Sequence, residues 1–321
     1  MRARVFSLFI IVFTLLAAGD PAVDVAAQAT PLPVVCAATP IASTTTFPLT
    51  VTDDAGRQVT IERAPSRIVS IAPSNTELLF ALGLDDRVVG VDTYSNFPPE
   101  ATHKPQMGSY LEPDLERIVV AAPDLVLATE AHVQTVLPQL ESLGLTTVVL
   151  EPANLSGVIA DMTLLGRVTD DANRAAALVC ALQTRVAALE AKVAGAAKPR
   201  VFFELSPDLY SAGPGSFIDD LIARAGGVNV AAGAGEQWPQ LSAEAVVAAN
   251  PEVILLVDHG AGVTPEQVAS RPGWQYVSAV VQHRIVTIDP DLVTRPGPRL
   301  VDGLEAIAAA LHPDLFPGSD A

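Results

Sequence analysis

One stretch occurs twice in this chain, and it constrains the fold more than anything else. The first copy runs Asp114-Leu-Glu-Arg-Ile-Val-Val-Ala-Ala-Pro-Asp-Leu-Val-Leu127, the second Ser242-Ala-Glu-Ala-Val-Val-Ala-Ala-Asn-Pro-Glu-Val-Ile-Leu255. Aligned on Pro123 and Pro251, the copies share a glutamate (Glu116, Glu244), a valine (Val119, Val247) and an alanine (Ala121, Ala249). Asp114 and Ser242 are good helix N-caps, and each glutamate then falls in the first helical turn, where the helix dipole favours a carboxylate. Proline lacks an N–H and ends each helix. The apolar run after each proline reads as a buried parallel strand. A single copy would be ordinary helix-to-strand punctuation. Two copies, each midway through an alternating α/β half and separated by more than a third of the chain, predict two similar lobes.

The chain is long enough for two cores: 321 residues, of which 50% are hydrophobic and 17% charged. A net charge of −17 argues against nucleic acid as a partner. Two cysteines, Cys36 and Cys180, are too few for a disulfide scaffold or a thiolate metal site. Residues 1–29 read as a secretory signal, with Arg2 and Arg4 before an apolar core and Ala27-Gln-Ala29 as the cleavage site. An uncleaved N-terminal anchor and a lipid-modified Cys36 are the competing readings; Pro33 and Val35 depart from a lipidation pattern. Residues 30–47, rich in Ala, Thr and Pro, form a flexible linker.

Beyond the linker, residues 48–168 predict an N-terminal α/β lobe. It opens with a hairpin, Leu49–Thr52 and Gln58–Ile61, around Asp53-Asp-Ala-Gly56. Strands at 67–72, 88–92, 124–129 and 146–151 then alternate with helices, the first of them capped by Ser74-Asn-Thr-Glu77. Residues 169–197 hold one long helix, with Leu178, Leu182, Val186, Leu189 and Val193 at steps of three and four residues. Residues 198–315 predict a C-terminal α/β lobe, with strands at 200–205, 253–257 and 284–288 and a loop at 228–241. The expected class is therefore α/β: two lobes with largely parallel sheets, joined by one long rigid helix, with a ligand cleft between them.

In parallel sheets ligands bind beyond the carboxyl ends of the strands. Of the four tyrosines and two tryptophans, Tyr94, Tyr110, Tyr210 and Trp238 fall in the loops at those ends. Rings from both lobes facing one cleft would grip a large, flat ligand; local packing of loop aromatics is the other reading. Arg295 and Arg299 are candidate hydrogen-bond donors to that ligand, Arg299 equally a solvated helix start. No phosphate-binding loop, dinucleotide fingerprint or nucleophile elbow is present. The five histidines are scattered. His132 and His259 lie near corresponding strand ends, beside Glu130 and Asp258, where exposed loop residues are favoured over a metal site shared between lobes. No catalytic set and no metal set emerges; a two-lobed enzyme is the reading from another class.

Four motifs carry a family resemblance: Ser70-Ile-Ala-Pro-Ser-Asn-Thr-Glu77, Tyr94-Ser-Asn-Phe-Pro-Pro99, Leu115-Glu-Arg-Ile118 with Pro123-Asp-Leu-Val126, and Trp238-Pro-Gln-Leu-Ser242. With the order of elements, they make the chain similar, over residues 68–311, to the helical-backbone class of periplasmic substrate-binding proteins. Within it the cobalamin binders are nearest, and ferric-siderophore and haem binders next. The resemblance implies ligand contacts from Tyr94, Tyr110 and Trp238 and polar contacts from Asp291 and Arg295; Tyr210 joins them from its loop position. It implies that Glu116 and Glu244 dock on arginines of an ABC permease. It further implies a secreted, periplasmic or cell-surface monomer, membrane-tethered in the alternative, that carries a corrinoid or an iron chelate as cargo, without a cofactor and without catalysis. Thr129 stands where the family has a tryptophan, and the segment after Asp291 lacks the usual aromatic.

Overall fold

The structure is a computed structural model and describes residues 45–258, 260 and 262–318. The expected signal, nearly all of the expected linker, Cys36 and His259 lie outside the described residues.

A hairpin of β1 (Leu49–Thr52) and β2 (Gln58–Ile61) pairs Leu49 with Ile61 and turns at Gly56, whose φ of 73° suits glycine. The Asp53 carboxylate fixes it to the lobe behind, accepting from the N–H groups of Arg57 (2.9 Å) and Val149 (3.1 Å). The N-terminal lobe has strands β3 (Ile68–Ser70), β4 (Val88–Val91), β5 (Leu125–Ala128) and β6 (Thr147–Val149), all parallel, in the order β4-β3-β5-β6. Its helices are α1 (Pro73–Ala81), α2 (Leu115–Val120) and α3 (Leu137–Ser142). The cap of α1 is Ala72, which makes no side-chain bond, with Pro73 next; Ser74 is buried inside the first turn. The four residues expected to cap this helix are thus part of its body.

The C-terminal lobe repeats the plan. Its strands are β7 (Arg200–Glu204), β8 (Val228–Asn229), β9 (Val253–Leu256) and β10 (Ile285–Thr287), again all parallel and in the matching order β8-β7-β9-β10. The two-residue strand β8 lies in the segment expected as a loop, too short to show a hydrophobic period. Its helices are α6 (Phe217–Arg224), α7 (Ala243–Ala249), α8 (Pro265–Ala269), α9 (Ser278–Val281), α10 (Pro290–Val293) and α11 (Leu300–Leu311).

The duplicated stretch folds the same way twice. Asp114 accepts from the Arg117 N–H at the start of α2, and Ser242 from the Ala245 N–H at the start of α7. Each helix is followed by a left-handed residue directly before proline, Ala122 and Asn250, both with φ 45°. The acid after each proline reaches the start of the neighbouring strand: Asp124 accepts from the Arg67 N–H (2.9 Å), Glu252 from the Arg200 N–H (3.0 Å). Those arginines close the motif by donating to the helix C-terminal carbonyls, Arg67 to Ala122 O (3.1 Å) and Arg200 to Asn250 O (3.0 Å). A cation there satisfies carbonyls that have no partner within the helix.

One long helix joins the lobes as expected, and a second helix packs along it. The 22-residue α5 (Ala172–Val193) is ~33 Å long at ~1.5 Å per residue. At its N-terminal end Arg174 donates to the Leu82 and Gly83 carbonyls (2.8 Å each), and Asp171 pairs with Arg87 (2.9 Å). At its other end Glu190 pairs with Arg224 of α6 (2.5 Å). Helix α4 (Leu155–Val168) runs back alongside it: the Leu155 N–H donates to Asp220 in the C-terminal lobe (3.0 Å), and Thr169 O, just past the helix, accepts from Arg87 in the N-terminal lobe (2.7 Å). The pair packs tightly, because a Cβ at Gly166 would lie 2.3 Å from the Ala175 side chain. Helix α11 joins from the C-terminal lobe, with Asp302 (2.6 Å) and Glu305 (2.8 Å) on Arg185 of α5. Cys180 on α5 is disulfide-bonded.

Candidate functional site

A cavity of about 610 Å³ opens between the lobes, at the carboxyl ends of both sheets. The first helices of the two lobes meet it at equivalent places: Pro73 and Ser74 open α1 on one side, Phe217 and Ile218 open α6 on the other. The four segments that carry its functional side chains are held in different ways.

Tyr94 follows β4 and is 59% exposed, its ring free to meet a ligand. Its loop rests on a buried chain of polar groups. The Tyr94 N–H donates to the Asp92 carboxylate (2.9 Å), Ser95 also donates to Asp92, and hydroxyl contacts run on from Ser95 to Thr76 (2.7 Å) and to Ser70 (2.9 Å). Burial pushes the Asp92 carboxyl up from its ordinary value.

Tyr110 sits on a tight turn between Gly108 and Pro113, which also brings Ser109 and Leu111 into the wall. Its hydroxyl meets that of Thr129 (3.0 Å), and burial raises the phenol above its ordinary value. Behind it stands His132. This histidine, expected as an exposed loop residue or as half of a metal site, is fully buried and packs edge-on to the Tyr110 ring at 5.1 Å. Its expected partner His259 lies outside the described residues, among which no group of three His, Cys, Asp or Glu is placed to hold a metal ion.

Trp238 lies on a ribbon held by the Ser211 N–H on Pro239 O and the Gly213 N–H on Gln237 O (2.8 Å each). A Cβ at Gly213 would come within 2.0 Å of Glu236 O, so the approach needs glycine. The indole meets Phe217 edge to face at 5.9 Å and is 42% exposed. Tyr210, on the same ribbon, does not line the cavity; its carbonyl accepts from the Leu205 N–H (2.9 Å) and it bridges to Gln240.

Asp291 and Arg295 do line the cavity, but each already has partners in both lobes. Arg295 pairs with Asp291 (2.7 Å) and donates to Asn96 Oδ1 of the N-terminal lobe (2.6 Å); the Asn96 amide in turn donates to Asp291 (3.1 Å). Beneath them Glu77 of α1 takes a two-pronged bond from Arg299, at 2.9 and 2.6 Å, and a longer one from Arg295 at 3.4 Å. Arg299 also stacks on Phe97 at 3.9 Å. This clasp ties the lobes a second time, on the cavity side. Arg299 is consequently not a solvated helix start, and it does not line the cavity.

Five of the six ligand contacts expected from the loops and the resemblance together, Tyr94, Tyr110, Trp238, Asp291 and Arg295, thus share one cavity. The apolar lining of Leu111, Leu205, Phe217 and Ile218, and the acidic Glu151, were not expected. The signal for Phe217 was present, since Ser216 is an evident N-cap and places the next residue at a loop end. Glu116 and Glu244 lie away from the cavity, exposed in the first turns of α2 and α7. The Glu244 carboxyl is held below its ordinary value by its own backbone N–H and by Ser242.

Two lobes of one topology, a helical strut and a cavity between sheet ends define a bilobal binding protein. The chain belongs to the periplasmic binding protein family, whose sequence model matches residues 68–292. It is 35% identical over 282 residues to an ABC transporter substrate-binding lipoprotein of Bacillus subtilis, YvrC, covering 85% of this chain and 88% of that one. It is 31% identical over 276 residues to a cobalamin-binding protein of Halobacterium salinarum, covering 83% and 74%. Among solved structures it resembles the periplasmic heme-binding protein RhuT of Roseiflexus sp. RS-1, with a TM-score of 0.70 and 29% identity over 78% of this chain and 99% of that one. It is therefore a substrate-binding protein of an ABC transporter, a class that works with a permease. No described helix is long and apolar enough to cross a membrane.

Proposed function

We propose that this protein captures cobalamin or a related corrinoid outside the cytoplasm and delivers it to its permease. One observation carries the choice of ligand: the cavity offers rings from both lobes, while Arg295, its only cationic lining residue among the described residues, is already neutralised. Arg295 is bound to Asp291, Asn96 and Glu77, and the other two charged lining groups, Asp291 and Glu151, are acidic. A ligand bearing free carboxylates, such as haem or an anionic siderophore complex, would find no unpaired cation among the described residues of this wall and would have to compete with Asp291, Asn96 and Glu77 for Arg295. A corrinoid is a flat macrocycle fringed by neutral amides, and its cobalt brings its own ligands. It needs rings on which to lie, here Tyr94, Tyr110 and Trp238, and hydrogen-bonding groups around the rim, here Ser74, Ser109, Thr129 and Thr294. Iron in haem would need an axial ligand from the protein, and the half-buried Tyr110 phenol, pushed upward, is poorly disposed to ionise for that role.

The chain acts in this reading as a secreted monomer without a catalytic step, and Glu116 and Glu244 meet basic residues of the permease. Titration calorimetry with cyanocobalamin, cobinamide, haemin and a ferric hydroxamate tests the assignment. The expected result is one-to-one, sub-micromolar binding of both corrinoids. Tight haemin or siderophore binding with no heat from either corrinoid overturns it.

A further inference from the structure

The turn at 108–113 contributes three wall residues, and its apex is held from one side. Within the turn the Ser109 N–H donates to Glu112 O (3.1 Å), and the Glu112 N–H to the Ser109 hydroxyl (3.0 Å). The apex carbonyl, Tyr110 O, is held by His132 Nε2 at 2.6 Å. The other ring nitrogen fixes which proton His132 carries. The Thr129 N–H points at Nδ1 from 3.0 Å and has to donate, so Nδ1 accepts and Nε2 bears the hydrogen that Tyr110 O receives. The His132 N–H donates back to Thr129 O (3.1 Å), and the Thr129 hydroxyl lies 3.2 Å from Nδ1 and 3.0 Å from the Tyr110 hydroxyl. Thr129 and His132 thus form a capping box at the end of β5, with a histidine in the place that usually holds Glu or Gln.

We propose that His132, as its neutral Nε2–H tautomer, is the positioning residue for the ligand-binding turn of the N-terminal lobe, setting the place of Tyr110 and Leu111 without touching ligand. The inference rests on the cavity being the ligand site. Protonation of the ring would turn Nδ1 into a donor facing the Thr129 N–H, leaving that buried N–H without its acceptor and loosening the box behind the turn. The titratable groups around His132 are the Tyr110 phenol against its ring, Asp92 across the sheet end, Glu130 on its own turn and Glu151 beyond Tyr110. Asp92 favours the charged ring, while burial outweighs it and keeps the ring neutral below histidine's ordinary range.

The test compares the full chain with His132→Leu and His132→Gln, using two readouts. The first is hydrogen-exchange protection of the amides of residues 109–112 and 129 without ligand. The second is cyanocobalamin affinity, measured from about pH 7.5 to about pH 4.5, a range that reaches well below histidine's ordinary value because burial lowers that of His132. His132→Leu is expected to lose about tenfold in both protection and affinity. Glutamine completes a standard capping box, so His132→Gln is expected to keep both at neutral pH and to lose the fall in affinity that the wild type shows on acidification. Wild-type protection of the turn in the Leu variant would show that His132 does not hold it. Lost protection with unchanged affinity would show that the turn's position does not serve binding. If His132→Leu does not fold, identical pH profiles for His132→Gln and wild type overturn the proposal. A wild-type protein that ignores cyanocobalamin at every pH overturns the corrinoid reading instead, and exchange in the ligand-free chain still decides whether His132 holds the turn.

Discussion

The two lobes share a scaffold and differ in how they support the cavity wall. Strand order, the capped helix before the third strand of each sheet, the left-handed residue before proline and the arginine on the helix end all recur. Behind the wall the N-terminal lobe uses hydrogen-bonded chains without ion pairs: Ser70, Thr76 and Ser95 with the Asp92 carboxyl under Tyr94, and Thr129 and His132 under Tyr110. The C-terminal lobe uses ion pairs. Glu204, at the end of β7, takes both prongs of Arg271 (2.7 and 2.5 Å), and Arg224 is gripped by Glu190 and Asp220. A scaffold can be duplicated intact because its strands and caps answer to packing, whereas loops at sheet ends are free to diverge. The cavity is accordingly asymmetric, with a polar, hydrogen-bonded wall facing a wall of Trp238, Phe217 and Leu205.

The clasp is where the lobes meet in charge, and breaking it should give the largest effect. Only 2% of the Glu77 side chain is exposed, and Arg299 has 14%. Glu77→Ala leaves Arg299 buried without its partner and is expected to cost about 3–5 kcal/mol in urea unfolding. Replacing both, as Glu77→Leu with Arg299→Met, should recover much of that loss, because hydrophobic pairs often substitute for buried ion pairs. A double variant no better than Glu77→Ala would mean that the clasp's hydrogen-bond geometry, beyond its charge balance, holds the lobes.

Ligand binding sharpens the comparison wall by wall. Trp238→Ala and Tyr94→Ala should each weaken corrinoid binding by about 1–3 kcal/mol, the range for losing an aromatic hot spot. Tyr210→Ala, on the Trp238 ribbon but off the cavity, should leave affinity unchanged in the same calorimetry. A loss at Tyr210 equal to that at Trp238 would put the site in the wrong place.

Much of this was legible in the sequence, and the reasons for the rest are physical. The repeat announced two lobes because caps and prolines act locally, within a few residues. The aromatic loops stood out because rings outside cores are informative. Helix α4 went unread although Asn154 caps it and accepts from the Gly157 N–H (2.9 Å), since Gly157 and Gly166 interrupt its pattern. Those glycines serve close packing, against Pro152 and Ala175, which no local signal reveals. The same holds for His132, whose burial depends on a turn about twenty residues earlier in the chain, and for Glu77, whose partner Arg299 lies 222 residues away. Tyr210 shows the converse: loop position alone does not tell which side of a ribbon a ring takes.

A smaller effect is expected at the strut. Burial, with the Asp54 carboxylate beside it, pushes Asp161 of α4 up to about 9. The folded chain therefore keeps a proton that the unfolded chain releases near 3.8. The resulting stabilisation is full below that value and is lost as pH rises, being gone by about 9. Asp161→Asn removes the titration. Its stability should match the wild type near pH 4 and exceed it by about 1 kcal/mol or more near pH 8. Parallel pH curves for the two proteins would mean that Asp161 titrates normally.

The least change in the isolated protein is expected at Glu116 and Glu244, and the comparison of lobes ends there. Both are exposed, both occupy the first turn of a capped helix, and neither lines the cavity. If their part is only to suit a helix dipole, each Glu→Gln change lowers the melting temperature slightly and transport continues. If they dock on a permease, Glu116→Gln with Glu244→Gln leaves corrinoid affinity and melting temperature almost unchanged while uptake into reconstituted vesicles collapses. Charge pairs of this kind fix encounter and register, so uptake by the wild type should also weaken with added salt. The single variants carry the sharper information. Equivalent positions in duplicated lobes predict equal losses of uptake for Glu116→Gln and Glu244→Gln. A loss confined to one of them would mean that the permease reads the two lobes differently, and that the symmetry of the scaffold stops at the docking face as it does at the cavity wall.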